Sequence, residues 1–266
     1  MKLMREIRFS VLPPSAGVTN SWAGWPSATS IAPFLTLQVV LRGIADPRTG
    51  YLCNVQAIDH TVRQCVVPLV VESLQTKRLP PTGETLVEVC WNALRNDVPP
   101  GTELEELRLA PTPYLIFSKH SGAQNMVSIT ESFEFAASHR LYCPSMSEEE
   151  NRALFGKCAN PNGHGHNYVV EVTVRGTPDP TTGRIVDIQE MESIVKEQVV
   201  DRFDHKHLNL DCPEFADLNP SVENITMVIW KLLDGQLEPA RLSKIRVWET
   251  PKTYAEIEEK KQSTEA

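Results

Sequence analysis

The sequence predicts an α+β fold class: two domains, each a four-stranded antiparallel sheet with two helices in the order ββααββ. Three observations carry this expectation. First, residues 35–68 lie over residues 168–201 without a gap, at a constant offset of 133, with 11 of 34 positions identical. An internal repeat of this kind makes the two halves one duplicated unit. Second, both halves alternate strand-like runs, rich in β-branched residues, with apolar stripes at helical spacing. Third, the later landmarks repeat as well. Glu84 to Trp91 matches Glu223 to Trp230, and Leu107-Arg108-Leu109 matches Ile245-Arg246-Val247 ahead of Thr112-Pro113 and Thr250-Pro251.

The first half reads as strands over Met4–Leu12 and Phe34–Ile44, helices near 54–75 and 83–95, then strands over Leu104–Leu109 and Tyr114–Ser118. Val55, Ile58, Val62 and Val66 form its apolar helix stripe. Ser15–Ser30, rich in Gly, Ser, Pro and Trp, is a loop, and Lys119–Asn125 is a linker. The domains are therefore expected at 1–120 and 126–260. In the second half Ile129–His139 alternates, and Tyr168–Val174 is β-branched and strand-like. Asp179–Gly183 is a turn, repeating Asp46-Pro47 and Thr49-Gly50 of the first half. Asp187 caps a helix whose stripe is Ile188, Met191, Val195 and Val199. A second helix runs from about Ser221 to Leu237, and Leu242–Thr250 with Lys252–Ile257 closes the sheet. The tail Lys260–Ala266 is polar and frayed. Open sheet edges in such a unit must pair with something, so a homo-oligomer is expected.

The chain has 266 residues, 41% hydrophobic and 23% charged, ordinary for a soluble globular protein. A net charge of −8 argues against nucleic acid or an anionic membrane as the main partner. No apolar run approaches the roughly 20 residues of a membrane span. The first residues lack the apolar core of a signal peptide, and six scattered cysteines read as reduced thiols. The expectation is a cytoplasmic, enzyme-sized protein.

The chemistry gathers around Gly156–Asn167, GKCANPNGHGHN. Residues i and i+2 of a strand leave the same face, so His164 and His166 project together. His139, ending the first strand of that half, is a third imidazole. Three imidazoles with no fourth protein ligand describe a catalytic zinc site with a position open to water or substrate. Cys158, six residues before the pair and beside a cation, is a candidate acid or base. Asp204 would raise and orient the imidazole of His205, which suits a proton relay. Glu249 ends an apolar strand, where a carboxylate needs a donor. The first half serves as a control: Pro13, Ile31 and Pro33 stand where the histidines do, and Pro111 stands opposite Glu249. The framework is kept and the reactive groups are replaced.

Leu154–Tyr168, LFGKCANPNGHGHNY, resembles the signature of the 6-pyruvoyl-tetrahydropterin synthase family. Phe135–Leu141, Phe203–Leu208, Val222-Glu223-Asn224 and Trp248-Glu249-Thr250 are similar to its other motifs. The resemblance covers about residues 129–258 and reaches the first half only through the repeat. It implies a tunnelling fold, whose subunits pair sheet edges into barrels of three four-stranded units, two barrels stacking; a trimer of a two-domain chain would supply six units. It implies zinc on His139, His164 and His166, and a pterin substrate, 7,8-dihydroneopterin triphosphate. Cys158 is then the base, Asp204 and His205 the relay, and Glu249 the anchor of the pterin ring. Ser221 and Glu223 would belong to a pterin-contacting stretch donated across a subunit interface. Ser221-Val222 replaces two threonines of the animal enzymes. Relatives that make 6-carboxy-tetrahydropterin have a shorter Cys-x3-His-Gly-His spacing than the Cys-x5-His-Gly-His here.

Overall fold

The computed structural model describes residues 1–11, 33–76 and 81–259. The loop expected at Ser15–Ser30 and the tail Lys260–Ala266 lie outside the described residues. Among the described residues the chain divides into two compact units, Met1–Thr130 with Arg175–Ile185, and Glu131–Val174 with Val186–Ala266. No helix among them is long and apolar enough to cross a membrane.

In the first unit, β1 (Lys2–Ser10), β2 (Phe34–Gly43), β3 (Thr102–Thr112) and β4 (Leu115–His120) form an antiparallel sheet in chain order. Register puts Ile7 opposite Leu37, Leu37 opposite Leu109 and Leu109 opposite Phe117. All four are buried, so one rung of the sheet is a continuous apolar row. Period-two alternation places the next residues, Glu6, Arg8 and Gln38, on the other face, where they bond one another. The helical layer is α1 (Val55–Thr61), a π-helical turn (Val62–Val66), α2 (Val67–Thr76) and α3 (Gly83–Leu94). Asn54 and Thr82 cap α1 and α3 through their side-chain oxygens. The stripe expected from Val55 begins one turn later. Val55 is exposed, while Ile58, Val62 and Val66 are buried. Lys119 and His120 belong to β4, so the expected linker starts two residues later.

The second unit contains most of β5 (Val127–His139), α4 (Glu148–Phe155), most of β6 (His164–Gly176), α5 (Ile188–Val195), a π-helical turn (Lys196–Val200) and α6 (Asp201–Phe203). It continues through β7 (Lys206–His207), α7 (Leu208–Asp211), α8 (Val222–Leu233), β8 (Arg241–Thr250) and β9 (Thr253–Glu258). The sheet order is β5-β6-β8-β9, with the short β7 parallel to the end of β5. Asp187 caps α5 as expected. Met191, Val195 and Val199 are buried, and Val170, Val172, Ile245 and Val247 supply the buried sheet face. Burial of each such side chain contributes about 1.5–3 kcal/mol. The sequence reading has no counterpart to α4. Ser147 and Glu150 close it with a reciprocal capping box, and buried Asn151 ties it to the carbonyls of Cys143, Met146 and Ser147.

Candidate functional site

β5 ends at His139 and β6 begins at His164, two neighbouring strands of one sheet. The approach depends on Gly163, at φ +70°, where a Cβ would stand 2.8 Å from the His139 carbonyl and from His207 Nε2. The three imidazoles His139, His164 and His166 converge, with one nitrogen of each lying within 4.8 Å of the others. His139 is fully buried, and its Nδ1 lies 2.7 Å from the Pro220 carbonyl. A carbonyl can only accept, so Nδ1 carries the proton and the Nε2 lone pair points into the cluster. Burial pushes the His139 pKa down to about 4, against the opposing Pro220 bond and with help from the neighbouring imidazoles. Burial also lowers His164. These rings are therefore neutral at neutral pH, the form that ligates metal.

The donor set fits a cation. His139 Nε2 and His164 Nε2 face each other at 3.1 Å, and the inward lone pair of His139 needs a proton or a metal opposite it. His166 Nε2 is buried with no hydrogen-bond partner among the described residues. Glu249 Oε1 lies 3.5 Å from His139 Nε2 and 3.7 Å from His166 Nε2. The carboxylate expected to anchor a ring thus also borders the imidazole cluster. The His139–Pro220 bond is the outer-shell contact that orients a ligating imidazole.

Tyr168 is a site residue the sequence reading missed. It is fully buried, stacks on Phe135 at 5.0 Å between ring centroids, and stands edge-on to His166 at 5.6 Å. Its hydroxyl has no hydrogen-bond partner among the described residues, and burial, then the charges of Glu249 and Cys158, push its pKa up. The phenol stays protonated beside both groups. The signal was present, since Tyr168 continues the i, i+2, i+4 face of His164 and His166. Cys158 lies in a 3-10 turn (Gly156–Ala159) after α4, half-buried, and its carbonyl accepts the Leu141 amide. Cys143, read as a bystander, bonds the Ser145 hydroxyl, and its pKa is lowered by that bond and by backbone amides.

Asp204 and His205 are adjacent and bonded. Asp204 Oδ1 accepts the Ala136 amide at 2.8 Å, and Oδ2 lies 2.6 Å from His205 Nδ1. These contacts, the Ala136 amide foremost, hold the Asp204 pKa down. His205 takes the left-handed φ of +57° and donates its amide to the Ala136 carbonyl, so the dyad is clamped onto β5. The imidazole itself is mostly exposed, with Nδ1 committed to Asp204. His207 pairs with Ser138 through β7 and lines a cavity of about 650 Å³ with Arg140, Tyr142 and Asn209. Asn209 brackets the residue after His139, accepting the Arg140 amide and donating to its carbonyl. Ser221 caps α8 directly after Pro220, and Glu223 in the first turn of that helix is exposed. Neither meets the imidazole cluster through a side-chain bond within the chain.

The sequence model of a family described as 6-pyruvoyl tetrahydropterin synthase matches residues 128–260. The 6-pyruvoyl tetrahydrobiopterin synthase of Homo sapiens is 43% identical over 129 residues, 48% of this chain and 89% of that protein. The 6-carboxy-5,6,7,8-tetrahydropterin synthase of Rickettsia conorii is 23% identical over 150 residues, 50% of this chain and all of that protein. Among solved structures, the Caenorhabditis elegans 6-pyruvoyl tetrahydropterin synthase aligns at 35% identity with a TM-score of 0.48, over 50% of this chain and 96% of that one.

Proposed function

This chain belongs to the 6-pyruvoyl tetrahydropterin synthase family, a family of lyases, and from that premise we propose that residues 126–260 turn 7,8-dihydroneopterin triphosphate into 6-pyruvoyl-tetrahydropterin and triphosphate. The observation that carries the reading is the inward-facing cluster of His139, His164 and His166, bordered by Glu249. These three residues would hold Zn2+, which when bound polarises the side-chain hydroxyls and acidifies the neighbouring C–H bonds. Cys158 takes those protons as base. Asp204 fixes the His205 tautomer with Nε2 free, and that nitrogen exchanges protons with the substrate. Glu249 accepts paired N–H donors from the pterin edge, and the protonated Tyr168 phenol stands beside it.

The balance closes without an outside oxidant. The two side-chain carbinols become carbonyls, and the dihydropterin ring gains the two hydrogens that make it tetrahydro. The terminal C–O bond breaks, triphosphate leaves with its electron pair, and that carbon ends as a methyl group.

The first unit is proposed as a degenerate tandem copy. Both units run ββααββ, and both long helices carry a π turn at nearly the same place, Val62–Val66 and Lys196–Val200. Its part is architectural, within a homo-oligomer for which a trimer is the favoured closure.

The test incubates zinc-loaded protein with 7,8-dihydroneopterin triphosphate and follows product mass and triphosphate release, with Cys158→Ala alongside. A pyruvoyl-tetrahydropterin mass, lost in that variant, is the expected result. A 6-carboxy product, favoured by the likeness to the Rickettsia conorii protein, would reassign the product. No turnover by folded, zinc-bearing protein would leave a pterin-binding scaffold.

A further inference from the structure

The first unit holds a pocket of about 520 Å³ where the end of α3 meets the end of β4 and the 3-10 turn Ser121–Ala123. Arg95, Asn96, Lys119, His120, Gln124 and Asn125 line it, and no carboxylate does. Its size is that of a small-molecule site, roughly 300–1,000 Å³. Lys119 points to what belongs there. Its side chain is 8% exposed, and Nζ meets one acceptor among the described residues, Glu88 Oε1 at 2.8 Å. An ammonium carries three donors, so two are unspent where burial makes an unmatched charge costly. Arg95, directly after α3, is exposed, and its guanidinium has no ion pair among the described residues. His120 is already committed, for Nδ1 accepts the Gly122 amide at 3.2 Å and Nε2 faces Glu105 at 3.3 Å. Gln124 lines the pocket from a left-handed backbone at φ +34°, strain of the kind that persists at ligand sites.

The second unit shows that the fold does not require these cations. α3 and α8 each run 12 residues from a Thr82 or Ser221 cap, so Arg95 and Asp234 hold the same position after their helices. Strand register fixes the other two. Lys119 stands opposite Leu107 and Ile257 opposite Ile245, while His120 stands opposite Glu106 and Glu258 opposite Lys244. With Leu107 matching Ile245, Lys119 corresponds to Ile257 and His120 to Glu258. Arginine, lysine and histidine thus occupy the places of aspartate, isoleucine and glutamate on one framework. A cation that merely complemented the helix dipole would serve α8 equally, yet α8 is followed by an aspartate. At the end of α3 the Trp91 and Leu94 carbonyls accept the Arg95 and Asp97 amides, which blunts their repulsion of an anion.

We infer that this pocket, built wholly from the first unit, binds a small phosphate-bearing molecule. Arg95 offers a planar fork of donors that matches phosphate oxygens, and Lys119 adds a second charge from the buried wall. The Asn96, Gln124 and Asn125 amides supply further donors. Together these exceed what the two oxygens of a carboxylate take up, and a phosphate group presents three strong acceptors. The inference does not rest on the proposed reaction, which uses none of these residues. It gives the first unit a binding role beside its architectural one.

The test titrates pyrophosphate into the full chain by calorimetry, with citrate at matched ionic strength as the carboxylate control. Pyrophosphate should bind, and citrate should bind far more weakly. Arg95→Asp and Lys119→Ile, which copy the second unit, should each weaken pyrophosphate binding roughly tenfold or more, the loss of a hydrogen bond to a charged group. Melting curves without ligand check that both variants fold, and Arg95 is exposed enough for its replacement to leave the core alone. Binding should also change the tryptophan emission, and Trp91→Phe, on the pocket wall, should remove that change. Unaltered pyrophosphate affinity in Arg95→Asp overturns the inference. So does citrate binding as tightly as pyrophosphate, or no binding of pyrophosphate by the unaltered chain.

Discussion

Glu131→Gln should make the protein more stable at pH 8 and leave it unchanged near pH 4.5. Glu131 on β5 and Glu192 on α5 are two interacting carboxyls. Burial first, then the hydrogen bond and charge of Glu192, push the Glu131 pKa up to about 7 from an ordinary 4.5. The folded pKa lies above the unfolded one, so the folded chain holds more protons between those values. The stability this contributes is full below about pH 4.5 and is lost as pH rises through about 7. A rise of that size sets a ceiling of roughly 3 kcal/mol. The group is only half-buried, and solvent screening reduces the effect to on the order of 1–2 kcal/mol. Glutamine keeps the shape and one hydrogen bond to Glu192 without the charge. Urea unfolding of both proteins at pH 4.5, 6 and 8 reads the difference directly, as a midpoint shift that grows with pH. An equal shift at every pH, or a variant less stable at pH 8, would refute the reasoning. The first unit shows the alternative solution, for Arg5 and Asp59 occupy the corresponding strand and helix positions as a two-bond ion pair at 2.7 and 2.6 Å. Glu131→Arg should therefore also raise stability at pH 8.

Other outcomes follow from the site. His205 holds a left-handed backbone at φ +57°, which costs a non-glycine residue about 1 kcal/mol; His205→Gly should raise the urea midpoint while turnover falls by roughly 10²–10⁴. A less stable but active variant would contradict the proposed relay. Asn209→Ala removes both bonds bracketing Arg140 and should cost about 1–3 kcal/mol, with weaker zinc retention because the strand end carrying His139 loosens; calorimetry and metal titration check the two effects. Chelation should abolish turnover reversibly while lowering the melting temperature only slightly, because His139 is already held by Pro220. Collapse of the fold on chelation would instead mark the metal as structural.

Much of the molecule was legible locally. The ββααββ order, the Asp187 cap, and the pairing of His164 with His166 rest on rules that act within about four residues, so they can be read along the chain. The α4 capping box and the Tyr168 face obey the same rules and were open to the same reading. Other features depend on residues far apart in sequence. The Pro220 carbonyl that sets the His139 tautomer is 81 residues away, and the Ala136 amide that holds Asp204 is 68 away. Glu249 borders the imidazoles, and Glu131 meets Glu192, only because strand order and register bring them together. The sequence by itself determined the main strands and helices and the chemical types at the site. The tertiary structure decided protonation, orientation and which carboxylates meet, because burial and long-range hydrogen bonds come into being only when the sheet and helices pack.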